Sequence, residues 1–352
     1  MSSLNEQFSQ RIVAHSDSLA TAIVTKHYLQ QPELAPRYGE KGQAKCLSDA
    51  HRHLTYLAEA MAVDHPSLFA NYIAWGKVLL SGLGIPEADL AKNLQVIGEV
   101  LKEEISEMPI SLIDDYIQAG LQQLPTLPSE LSTFIKTAEP HADLANQYFE
   151  ALLSGKRQIA SQLILNAVNN GISIKEIYLY VFQRTQYEIG RLWQMNKVSV
   201  AQEHYCTAAT QLIMSQLYAY IFASEKRGHT LVATCVGSEL HEMGVRMVAD
   251  FFEMEGWDTF YLGANMPPSG IIKELEERKA EVLAISATMT FHISAVTNLI
   301  TTIRSNENFK SVKIMVGGYP FNVEPSLWQK VGADAYAKNA DEAIKVANSL
   351  LN

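Results

Sequence analysis

The chain has little cysteine, no excess of basic charge and no long hydrophobic run, and each shortage closes off a class of function. Its three cysteines, Cys46, Cys206 and Cys235, lie too far apart for a disulfide framework or a thiolate metal site. Lysine and arginine number 28 against 38 aspartate and glutamate, a formal charge of −10, which argues against nucleic acid held by bulk electrostatics. No basic cluster offsets that balance. No apolar run approaches the roughly 20 residues that span a bilayer. The opening MSSLNEQFSQRI has neither the basic start nor the apolar stretch of a secretory signal. A cytoplasmic protein is expected, without membrane contact and without direct DNA binding.

What is present divides into three blocks. Residues 1–125 read as an all-helical N-terminal domain: Leu47, Ala50, Leu54, Leu57 and Met61 recur at the three-and-four spacing of an amphipathic helix. Gly84 and Pro86 break the following segment, which resumes through Leu90, Leu94, Ile97 and Leu101. The stretch LPTLPSEL at 124–131 reads as a linker. Residues 140–225 form a second helical block, a small bundle. Gly171 stands where a helix ends, Ser173 with Glu176 and Ser199 with Gln202 make two capping boxes, and the two helices they open run to about Met195 and Ala223.

From 228 to 352 the pattern changes to short apolar runs alternating with helical segments: TLVATCV, TFYLGA, VLAISAT, KIMVGG and ADAYA. Strands that are apolar throughout are buried on both faces, as in a parallel sheet covered by helices. Five such units predict an α/β fold, a flavodoxin-like (Rossmann-like) five-stranded parallel sheet that binds ligands at the carboxyl ends of its strands.

The loop after the first strand reads Gly237-Ser238-Glu239-Leu240-His241-Glu242-Met243-Gly244. A loop histidine with a carboxylate two residues earlier suits a metal ligand: one ring nitrogen binds the metal while the other donates to the carboxylate, which fixes the tautomer. Gly244 leaves the backbone open to a bulky planar ligand. The third strand ends in Ser286-Ala287-Thr288 and the fourth in Gly317-Gly318. The competing reading is a flavodoxin-like domain with ordinary turn glycines.

With 41 residues between Gly244 and Ser286 and 28 between Thr288 and Gly317, these motifs resemble the cobalamin-binding domain family: acidic-x-His-x-x-Gly, then Ser-x-Leu, then Gly-Gly. The resemblance implies cobalamin as cofactor, His241 as the lower axial ligand of cobalt and Glu239 tuning it. It places Ser286 on the buried nucleotide base and Gly317 and Gly318 along the slot for the tail. Glu239 stands where aspartate is usual, adding one rotatable bond, and Thr288, where leucine is usual, slightly alters the slot lining.

In the bundle, Trp193 is followed after nine residues by Glu203-His204, which puts a tryptophan at one helix end and a polar pair on the first turn of the next. Such a turn can cover one face of a macrocycle; equally it can hold a buried tryptophan and a solvated Glu-His pair. The spacing resembles the cap of CarH-type adenosylcobalamin photoreceptors, which implies contacts from Trp193, Glu203 and His204 to an adenosyl group. It departs at Gln194, where a histidine is found in those proteins, and the N-terminal block lacks their DNA-binding domain. His51, His53 and His65 raise the possibility of a haem or bilin in the N-terminal block.

The expectation is therefore a non-enzymatic cobalamin-binding sensor or regulatory protein. Adenosylcobalamin is favoured over methylcobalamin, light or cofactor loss is the signal, and a regulatory partner protein or self-association is the output. The alternative is a corrinoid carrier passing methyl groups between methyltransferases. A mutase subunit is set aside, because a substrate barrel has no room in this chain.

Overall fold

The computed structural model describes residues 3–126, 128, 130–222 and 224–351. Six helices come first: α1 Leu4–Ala14, α2 Ser16–Gln30, α3 Leu34–Ala62, α4 Pro66–Gly82, α5 Glu87–Glu104 and α6 Ile110–Gln123. The expected stripe on α3 faces inward, with Ala50, Leu54, Leu57 and Met61 buried and Leu47 packed against them. Gly84, in the left-handed region at φ 76°, separates α4 from α5, and Leu90, Leu94, Ile97 and Leu101 are all buried. A short 3-10 turn, Leu124–Thr126, opens the expected linker, of which 127 and 129 lie outside the described residues.

The bundle comprises α7 Ala142–Leu153, α8 Arg157–Asn169, α9 Ile174–Glu176, a π-helical stretch Ile177–Phe182 continuing into α10 Gln183–Gln194, α11 Val200–Gln216 and α12 Tyr218–Ile221. Both capping boxes form: Ser173 and Ser199 accept from the third helical N–H, and Glu176 and Gln202 reach back. Gly171 sits at φ 95° just beyond α8. The last helix is broken, α11 ending at Gln216 before the short α12; Ala223, its expected end, lies outside the described residues.

The remainder is the expected α/β fold. Its elements are β1 Thr230–Val236, α13 Met243–Met254, β2 Asp258–Met266, α14 Pro268–Arg278, β3 Val282–Ser286, α15 Ile293–Arg304, β4 Lys313–Gly317, α16 Tyr319–Val323, α17 Leu327–Lys330, β5 Ala335–Tyr336 and α18 Ala340–Leu351. All neighbouring strands are parallel, in the order β2-β1-β3-β4-β5.

Because successive residues of a strand point to opposite faces, the sheet divides its side chains between two cores. Val232, Val236, Leu283, Ile285, Ile314 and Val316 join α14, α15 and the N-terminal helices. Leu231, Ala233, Cys235, Val282, Ala284 and Met315 join α13, α18 and the bundle. Each fully buried aliphatic side chain stabilises the fold by about 1.5–3 kcal/mol. The sheet thus lies between two helical layers, and the N-terminal layer also touches the bundle. Gln194 donates to the Trp75 carbonyl (2.9 Å) and Asn196 to that of Gly82 (3.4 Å). A Cβ on Gly82 would come within 2.8 Å of the Met195 backbone, so only glycine fits there.

Candidate cofactor site

The helix after β1 packs in one core and the helix after β3 in the other, so the chain leaves these adjacent strands toward opposite faces. Their carboxyl ends therefore border an open crevice, the switch point of the sheet. Cys235, Ser286 and Gly317 lie side by side there, in register across β1, β3 and β4. The His241 loop rises from β1 and the segment from Ala287 to His292 from β3.

Glu239 stands between the two loops with no exposed surface. Its Oε1 accepts from the His241 backbone N–H (2.9 Å) and from His241 Nδ1 (2.6 Å). Its Oε2 accepts from Thr288 N–H (2.7 Å), Met289 N–H (3.2 Å) and His292 Nδ1 (2.9 Å). Burial alone would raise the carboxyl pKa, but the donors, His241 and His292 foremost, hold it well below the usual carboxylate range. A carboxylate can only accept, so Nδ1 of His241 carries the proton and Nε2 is left as a free lone pair. The hydrogen bond to Glu239 raises the His241 pKa against the opposing effect of burial; the charge of Glu239 and the more distant charge of Glu203 add to it.

The loop is held in a conformation unusual for its residues. Ser238 (φ 68°) and Asn265 (φ 53°) both occupy the left-handed region. Ser238 N–H donates to Asn265 Oδ1 (2.7 Å) and Asn265 N–H to the Glu239 carbonyl (2.9 Å), tying the loop to the end of β2. Glu242 fixes the other end. It accepts from Gln211 of α11 (2.8 Å), Tyr261 (2.9 Å) and Ala264 N–H (3.0 Å).

These surroundings fit a large planar cofactor. The His241 side chain is 58% exposed, a Cβ on Gly244 would meet nothing within 4 Å, and two large hydrophobic side chains, Leu240 of the His241 loop and Tyr319 at the start of α16, are exposed. A free imidazole nitrogen, an open backbone and uncovered apolar surface are what a cobalt corrinoid needs of its protein.

Glu239, His241 and Thr288 are joined directly, and Ser286 and Gly317 share the row below them. Gly318 has a further reason to be glycine: at φ 103° a Cβ would collide with the Ala287 carbonyl. Glu203 bonds to His204 (2.5 Å) and Thr207 (3.1 Å), while His204 is 74% exposed. Trp193 is half-buried and packs its ring 6.0 Å from that of Trp75 in the N-terminal layer.

His292 escaped the sequence reading. It ends a 3-10 turn, Thr290–His292, six residues past Ser286, where no periodicity marks it, and its polarity in an apolar stretch was the available signal. The three histidines considered for a chromophore are dispersed. His53 is buried against the Tyr72 hydroxyl (2.9 Å), its pKa lowered by burial to about 4. His51 bonds to Ser16 (3.1 Å) and His65 lies 3.6 Å from Glu324.

Comparison with known proteins gives two family matches, both described as B12 binding domain, over residues 229–345 and 144–218. Dimethylamine corrinoid protein 3 of Methanosarcina acetivorans is 29% identical over 166 residues, 47% of this chain and 74% of that protein. Its namesake in Methanosarcina mazei is 31% identical over 130 residues, 37% of this chain and 75% of that protein. Among solved structures, the Methanosarcina barkeri monomethylamine corrinoid protein shares the fold, with a TM-score of 0.53 at 23% identity, covering 60% of this chain and 99% of that one.

These relatives correct the expected function. Proteins similar to this chain are corrinoid proteins named for dimethylamine, and this overturns the reading as a light- or cofactor-responsive sensor. The block carrying Trp193, Glu203 and His204 matches a B12 binding domain, and nothing shows a photoreceptor-type cap. Spacing misled here because any tight turn opened by a capping box sets a helix-end tryptophan near the first turn of the next helix. Among the described residues no helix is long and apolar enough to cross a membrane.

Proposed function

The chain belongs to the corrinoid protein family of B12-binding proteins, and from that premise we propose that it is a methyl carrier, a protein that holds cobalamin for partner methyltransferases. The observation that supports this most is the buried Glu239 carboxylate on Nδ1 of His241, which leaves Nε2 free on an exposed side chain that would hold the cobalt of cobalamin. When bound, the cobalt of cobalamin supplies a centre that takes up a methyl group and gives it away. We assign methylcobalamin as the working form.

In this reading each part of the chain has a task. His241 binds, and Glu239 keeps the proton on Nδ1 and orients the ring. Gly244 gives the macrocycle access to the backbone. Ser286, Thr288, Gly317 and Gly318 border the crevice that takes the nucleotide tail. Trp193, Glu203 and His204 of the bundle block (140–225) would border the bound cofactor from the bundle side and limit water there. The α/β block (228–352) is the binding module, and the N-terminal block (1–125) braces both. The chain itself catalyses nothing; enzymes that bring and remove the methyl group are its partners, and methylated amines are the first donors to try.

The test is loading with hydroxocobalamin and methylcobalamin, followed by absorption and electron paramagnetic resonance of the Co(II) form. Nitrogen coupling from one imidazole is expected in the natural chain and its loss in His241→Ala. A chain that retains no cobalamin, or a variant with unchanged coupling, overturns the assignment.

A further inference from the structure

Gln194, the last residue of α10, is a polar side chain that the protein buries. It is 7% exposed, and its Nε2 donates to the Trp75 carbonyl (2.9 Å), 119 residues away in sequence. A helical carbonyl uses one lone pair along its own helix, so Gln194 takes the second. Three further contacts fall at the same place. Asn196 donates to the Gly82 carbonyl (3.4 Å), the Trp193 ring lies 6.0 Å from that of Trp75, and a Cβ on Gly82 would stand 2.8 Å from the Met195 carbonyl. The turn between α10 and α11 therefore rests on the C-terminal half of α4.

The other end of α4 is fixed to the α/β block. Ser67 donates to Glu324 (3.3 Å), and His65 Nδ1 lies 3.6 Å from the same carboxylate. Glu324 directly follows α16, which itself follows Gly317-Gly318 at the crevice. At 1.5 Å per residue α4 is about 25 Å long, and it spans the distance from that segment to the bundle turn. From the turn, α11 runs on to Gln211, which donates to Glu242 beside His241 (2.8 Å). The bundle side of the site is thus held at two points, by the His241 loop and by α4.

We infer that Gln194 is a positioning residue: by donating to the Trp75 carbonyl it seats the α10–α11 turn, with Trp193, on α4, so that a small ligand reaches the cobalt position left open by His241 only when the turn leaves the N-terminal layer. The inference rests on the carrier reading for the cobalt, but the hold on the turn is tested without cobalamin.

Two variants break the contact in different ways. Gln194→Met keeps the length and removes the N–H. Gly82→Ala adds a methyl group against the Met195 backbone; the position has no positive φ and alanine favours helix over glycine, so α4 itself is not weakened. In the cobalamin-free full chain, both are expected to quicken amide hydrogen exchange over 193–199 and leave α13 as it was. In the chain loaded with hydroxocobalamin, both are expected to speed the uptake of azide by cobalt about tenfold, the effect of losing one hydrogen bond, while the imidazole nitrogen coupling of the Co(II) form stays unchanged. Ser161→Ala, which breaks a bond to Gln216 elsewhere on the bundle, is the control and is expected to match the natural chain. Unchanged exchange over 193–199, azide uptake that neither variant alters, or equal acceleration by Ser161→Ala overturns the inference, and so does a loss of imidazole coupling in both variants. If the natural chain takes up no cobalamin, the carrier reading falls, and hydrogen exchange alone decides whether Gln194 holds the turn.

Discussion

On one side of the sheet the bundle meets α13 along a polar stripe; on the other the N-terminal layer meets the start of α15 through rings. The stripe is Glu242, Arg246 and Asp250, four residues apart and so on one helical face. They pair with Gln211 (2.8 Å), with Ser215 (2.8 Å) and Tyr218 (3.3 Å), and with Tyr178 (2.8 Å). Across the sheet, Tyr56 stacks on Tyr72 at 3.7 Å and meets Phe291, and Glu59 closes the first turn of α15. The two layers therefore govern different halves of one contact. The bundle holds the helix that follows His241, and the N-terminal layer holds the loop that supplies His292, Thr288 and Met289 to Glu239.

If the halves are joined through Glu239, its removal should cost more than any change confined to one layer. Glu239→Ala would leave five donors without their acceptor, and a loss of about 3–5 kcal/mol is expected in denaturant unfolding, together with loss of cobalamin binding. A smaller loss would mean that water replaces the carboxylate.

Next comes the ring contact. Tyr56→Ala removes both the stack on Tyr72 and the edge contact to Phe291, at about 3 kcal/mol. Hydrogen exchange should quicken over 288–294 while α13 keeps its protection; equal loss in both would show that the layers do not act separately.

On the polar side, burial raises the Asp250 pKa from 3.8 to about 6. The folded state then binds a proton more readily than the unfolded chain, so this residue's contribution to stability is full below about pH 4 and declines as pH rises through about 6. Asp250→Asn is accordingly expected to stabilise the chain by up to about 2 kcal/mol at neutral pH and to lose that advantage in acid. Melting curves at both pH values decide it; no gain at neutral pH would show that the ionised carboxylate is well solvated by its tyrosines.

The smallest effect belongs to Glu59→Gln. It keeps an acceptor for Ser294 but removes a charge from a helix N-terminus, for about 0.5–1 kcal/mol. An effect as large as that of Tyr56→Ala would mean that charge rather than ring packing anchors the layer.

The sheet was legible because each parallel strand is an apolar run closed by a turn, and the bundle turns because Ser173 and Ser199 stand three residues ahead of Glu176 and Gln202. The His241 loop was legible through the register of Glu239, Ser286 and Gly317. What stayed hidden depends on tertiary approach. Trp75 meets Trp193 across residues distant in sequence, Gly318 is required by the Ala287 carbonyl, and His292 gains its partner only when two loops close on one carboxylate. The function was misread for a related reason: the spacing of Trp193, Glu203 and His204 follows from the turn and does not distinguish a sensor from the corrinoid proteins that the chain resembles.

The Glu59 contact also has a history in the making of the chain. Ser294 follows Glu59 by 235 residues, so α3 and α4 are synthesised long before the surface they cover. Throughout that interval Tyr56 lacks Phe291, against which it finally packs, and an exposed aromatic patch of this kind invites association. A ribosome stalled before β3 would hold a chain whose first six helices are complete while Tyr56 and Glu59 still wait for Phe291 and Ser294.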